Sequence, residues 1–90
     1  MSVRATTWVW EHSPTAGTAR LVLLAIADTA DDAGGNAWPS VATLARKTRL
    51  DVRTVQRVIR RLVAGGHLRV APTAGRGGTN VYTVVLTPPG

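Results

Sequence analysis

The chain has 90 residues, a formal net charge of +6 and no cysteine. That length supports one small domain whose core is marginal unless tidy or shared with a second subunit, and the missing thiols exclude a disulfide framework and a cysteine-based zinc site. His12 and His67 lack ligand spacing, and the longest apolar run, LVLLAIA at 21–27, is too short for a bilayer and follows no basic leader, so no metal, cofactor or membrane partner is expected and a cytoplasmic location is.

Charge is segregated along the chain. Residues 1–45 carry two basic against four acidic side chains, and residues 46–90 carry nine basic against Asp51 alone. The two halves are therefore expected to face different partners.

In chain order, residues 1–12 read as an extended arm, because VRATTWVWEH is rich in β-branched and aromatic residues and an extended backbone places Trp8 and Trp10 on one face. Ser13 and Pro14 suit a helix cap and first turn, with Thr15 or Thr18 as later starts because Gly17 weakens an early one. This first helix is expected to run to about Asp31. Its centre is apolar all round, which implies contact on more than one side: two later helices on one, the tryptophan arm or a second subunit on the other.

DDAGGNAWP is turn chemistry, with Trp38 as a short strand stopped by Pro39. Ser40 is placed to cap a second, two-turn helix whose Val41, Leu44 and Ala45 share one face. Leu50 is an apolar plug in the next turn. Asp51 then caps a third helix, 52–63, and Gly65–Gly66 closes it. After that the period becomes alternating: HLRVAP and NVYTVVL read as two strands, with Leu68 and Val70 on one inward face and Tyr82, Val84 and Leu86 on the other. Between them, 73–79 is a glycine-rich hairpin tip centred on Arg76. Residues 88–90 read as a tail or the beginning of a linker, so that the chain is expected to be the N-terminal piece of something longer.

At about 100° per residue, Val52, Val55, Ile59 and Leu62 form the inner side of the third helix, with Val58 and Val63 at its edges. Arg53, Gln56, Arg57 and Arg60 stand opposite, flanked by Arg61 and Thr54. No carboxylate within the helix relieves these arginines, whereas a merely solvated face usually mixes signs. Such a face becomes favourable beside phosphate, where guanidinium pairs bidentately and counterions are released. Its diameter suits the major groove of B-form DNA, and arginine and glutamine forks match guanine and adenine edges.

The string PSVATLARKTRLDVRTVQRVIRRLVAGGHLRV followed by GRGGTNVYTV resembles the winged helix-turn-helix domains of bacterial, plasmid and phage DNA-binding proteins, with a GntR/MarR-like pattern. The resemblance spans Trp38 to Leu86, and RLVLLAIAD fits the usual first helix. It implies an α+β fold at 13–87: three helices, a short strand after the first, and a C-terminal wing hairpin. It implies that Ala45 lies where the second and third helices touch. Thr54, Gln56 and Arg57 would be recognition-helix contacts, Ser40 and Thr43 would reach phosphate, and Arg76 would sit in the wing near the minor groove or flanking backbone. The family often has glycine where this chain has Arg49, which would cost on the order of 1 kcal/mol in a left-handed backbone.

The expected function is sequence-specific double-stranded DNA binding by a transcriptional regulator, with plasmid or phage replication or partition, or a protein-interaction module, as alternatives. Lys47 and Arg61 join Ser40 and Thr43 as phosphate contacts, and Arg53, Gln56 and Arg57 read base edges. A homodimer through Trp8, Trp10 and the first helix is expected, at the bacterial nucleoid. No serine, histidine and acid are spaced for catalysis, and GRGG lacks the setting of a nucleotide loop, so no enzymatic activity or small-molecule ligand is expected.

Overall fold

A computed structural model describes residues 2–86; the tail expected at 88–90 lies outside them. The order is α1 (Val3–His12), α2 (Gly17–Thr29), α3 (Val41–Thr48), α4 (Val52–Ala64), β1 (Leu68–Ala71) and β2 (Val81–Val84), with a single 3₁₀ turn at Arg76–Gly78 between the strands. This is the expected α+β class. The helix count differs: there are four among the described residues, because those read as an extended arm are helical.

The reason lies in packing and capping. Ser2 Oγ accepts from the Ala5 N–H at 2.9 Å and satisfies a free donor of the first turn. Ala5 and Val9, one helical turn apart, are both fully buried and α1 packs against α2. Tertiary burial thereby overrides the strand preference of the threonines and tryptophans. The helix also separates the tryptophans: Trp8 packs against the core, while Trp10 is 58% exposed. Ser13 ends α1, its N–H donating to the Val9 carbonyl, and α2 starts later than the Ser13–Pro14 reading, at Gly17, whose φ is +59°. The second covering that the apolar α2 demanded is therefore α1 of the same chain.

The remaining helices follow their caps. Ser40 Oγ accepts from the Thr43 N–H, and the Asp51 carboxylate accepts from the Arg53 N–H. Gly66, at φ +79°, turns the chain out of α4 toward β1. Arg49, between α3 and α4, does adopt the left-handed conformation, φ 61° and ψ 30°.

The core is shared by all elements: Val9 from α1, Leu23 and Ile26 from α2, Leu44 from α3, Val55 and Leu62 from α4, and Leu68 and Tyr82 from the strands. The strands pair antiparallel, Leu68 opposite Val84 and Val70 opposite Tyr82. The expected strand at Trp38 is reduced to an isolated bridge between Ala37 and Tyr82, and Trp38 itself stands beside it.

Candidate nucleic-acid interface

The interface is built on two consecutive helices and a hairpin. α2, α3 and α4 pack on one another, and α3 and α4 are joined by only three residues, 49–51. The left-handed Arg49 makes that short turn, its N–H donating to the Ala45 carbonyl, and the half-buried Leu50 anchors it on the core as expected. Ala45 is buried in α3, and α3 packs against α4.

On α4 the buried residues are Val55, Val58, Ile59 and Leu62. Val52, placed on the inner side by sequence, is 42% exposed; of the two edge residues Val63 is 41% exposed and Val58 is buried. The stripe is centred between Val55 and Leu62, so at about 100° per residue Val52 and Val63 fall roughly 70–90° away from its centre. The direction opposite that centre is occupied by Arg53, Arg57 and Arg60, all exposed, with Gln56 and Arg61 on either flank, also exposed.

Among the described residues none of these cations lies within ion-pair range of a carboxylate. Among the described residues the single acid–base contact within ion-pair range is His12 with Glu11 on α1, at 4.0 Å, and none involves an α4 arginine. Arg57 makes one weak bond, Nη2 donating to the half-buried Thr54 hydroxyl at 3.4 Å. Arg20, by contrast, is engaged: it donates to the Thr15 and Ser13 carbonyls and lies over the Trp10 ring, 5.3 Å from its centroid. Arg20 thus finds its partners at the α1–α2 junction, whereas no α4 arginine pairs with a carboxylate among the described residues.

Beside α4, Ser40 and Thr43 stand at the start of α3 and the exposed Lys47 in its last turn. The Ser40 hydroxyl donates to Thr43 Oγ1 at 2.9 Å while accepting from the Thr43 N–H. Its proton is therefore committed to the cap, and the Thr43 hydroxyl is the free donor of the pair. Arg76 is exposed at the tip of the wing, in a hydrogen-bonded 3₁₀ turn rather than a loose glycine loop. Its guanidinium carbon lies 5.9 Å from the centroid of the Trp38 ring.

Trp38, read from sequence as a short strand, stands at a groove of about 430 Å³ lined by Thr29, Trp38, Pro39, Ser40, Thr43 and Thr79. Trp38 and Thr79 are the residues of this surface that sequence reasoning missed. The available signal was a large aromatic two positions ahead of an N-cap serine, outside any amphipathic repeat.

A helix pair joined by a tight turn, an outward cationic second helix and a following β-hairpin define a winged helix-turn-helix domain. A family model described as a helix-turn-helix domain matches residues 16–68, and the chain belongs to that family, a class of DNA-binding domain. The match covers α2 through the first residue of β1 and leaves α1 and the wing outside it. No curated protein and no solved structure matches the chain.

Proposed function

We propose that the protein binds double-stranded DNA in a sequence-specific manner, with α4 in the major groove and residues 73–79 against the flanking backbone or minor groove. The observation that carries this reading is the row Arg53, Arg57 and Arg60, exposed, aligned on one side of α4, with guanidinium groups that make no ion pair among the described residues. A helix of thirteen residues is roughly 20 Å long, which matches the reach of a groove-inserted recognition helix. Phosphate contacts come from Thr43 with Ser40 behind it, and from Lys47 and Arg61. Arg53, Thr54, Gln56, Arg57 and Arg60 face the bases and their flanking phosphates, and Arg76 contacts the backbone from the wing. The protein acts as a transcriptional regulator in the bacterial cytoplasm, as a homodimer on paired half-sites.

Selection of bound duplexes from a random pool tests this. A recovered repeat of defined sequence is the expected result. Recovery of unrelated sequences at moderate salt, with no enrichment, would remove sequence-specific recognition.

A further inference from the structure

Trp38 has no role in the reading above, yet three independent features bring the wing onto it. Its indole is 47% exposed at the edge of the fold, with the Arg76 guanidinium over the ring. Gly75 passes so close that a Cβ there would overlap the Thr79 hydroxyl and press on Trp38 Cβ at 3.0 Å. The preceding residue, Ala37, is tied to the wing strand by its bridge to Tyr82. The tip itself is closed internally: the Gly75 N–H donates to the Thr79 carbonyl at 2.8 Å, and the Thr79 hydroxyl donates to the Arg76 carbonyl at 3.1 Å.

A wing on a loose hairpin would offer its arginine to a duplex from many orientations, and ordering it would oppose binding. A cation over the face of an indole is attracted by the ring quadrupole, which narrows that range before any partner arrives. We propose that Trp38 is a positioning residue for DNA binding: its ring seats Arg76 and the wing tip beside the start of α3, so the wing cation meets the duplex backbone already placed. Trp38 acts through Arg76 and not by stacking on a base. This rests on the duplex-binding reading above.

Two measurements test it. The free protein has three tryptophans and so three indole N–H signals in a ¹H–¹⁵N spectrum. Trp38→Phe identifies the Trp38 signal by removing it, and Arg76→Ala is expected to move that signal while leaving those of Trp8 and Trp10 in place. An unmoved Trp38 signal overturns the seating.

With a duplex recovered by selection, Trp38→Ala is expected to weaken binding by about two- to fivefold, the worth of one exposed cation–π pair. Trp38→Phe recovers part of the loss. Because Trp38 acts through Arg76, the double variant Trp38→Ala, Arg76→Ala binds no more weakly than Arg76→Ala alone. Effects that multiply overturn the proposal, since Trp38 would then touch DNA itself. If the parent protein binds no duplex, the functional reading fails and the role of Trp38 in binding falls with it, while the indole spectrum still reports separately on whether the wing is seated.

Discussion

Arg57 and Lys47 carry the same charge, but they stand on different helices, and that decides what each can do. Arg57 points away from the core near the middle of α4, and Lys47 is exposed in the last turn of α3. In the proposed docking the first reads a base edge and the second meets phosphate. Arg57→Ala is expected to cost about 1–3 kcal/mol on the selected site and to blur preference at one base pair. Lys47→Ala should weaken all sequences alike and flatten the salt slope by about one unit. Equal losses on selected and random duplexes for both variants would refute the division of roles. Arg49 makes a prediction of the opposite sign. Its left-handed backbone is unfavourable for any residue with a Cβ, and glycine relieves it at the expense of a more flexible unfolded chain. Arg49→Gly is therefore expected to stabilise by about 0.5 kcal/mol, raising Tm by about 2–4 °C in a thermal melt.

At the scale of elements, what could be read from sequence depended on whether the determining contacts were local. α3 and α4 were legible because their caps, Ser40 and Asp51, and the periodic apolar residues behind them lie within a few positions of one another. So was the outward arginine row, which needs only the helical period. α1 was not, because its helix depends on burying Ala5 and Val9 against α2, which the strand-favouring composition of residues 3–10 conceals. The Trp38–Arg76 pairing was equally hidden, joining residues 38 positions apart. The loop after α2 has its own testable chemistry. Asp31 accepts from the Ala33 and Gly35 N–H groups and from the Asn36 side-chain amide, and these bonds, that of Gly35 foremost, hold its carboxyl below the ordinary value of 3.8. A depressed carboxyl contributes stability that is complete above its unfolded pKa and is lost as pH falls through its folded one. Stability is thus expected to decline on acidification below about pH 4, and Asp31→Asn should lessen that acid dependence while lowering stability at neutral pH. A variant whose stability falls with acid as steeply as the parent's would show that the loop bonds are not coupled to folding.

For the whole molecule, the charge segregation of the sequence becomes a division of labour between faces. Glu11, Asp28, Asp31 and Asp32 belong to α1, α2 and the loop that follows, whereas α3, α4, the turn between them and the hairpin carry all the basic residues beyond position 45. The acidic half also presents exposed apolar side chains, Val3 and Trp10 on α1 and Leu21 on α2, and Trp8 is already engaged with the core. If the homodimer forms through α1, it therefore uses Val3 and Trp10 rather than both tryptophans, leaving the cationic faces of the two copies free for neighbouring half-sites. The salt dependence of binding counts the copies engaged. With about four phosphates neutralised per copy, the logarithm of the association constant should fall against the logarithm of salt concentration with a slope of about −3.6 for one copy and about −7 for two. Sedimentation of the protein with the selected duplex gives the stoichiometry independently. Two copies per duplex with the steeper slope, and a return to the shallower slope and single occupancy in Trp10→Ser, are the expected outcomes. A single copy on every duplex, with a slope near −3.6 that Trp10→Ser leaves unchanged, would rule out the dimer while leaving recognition by α4 intact.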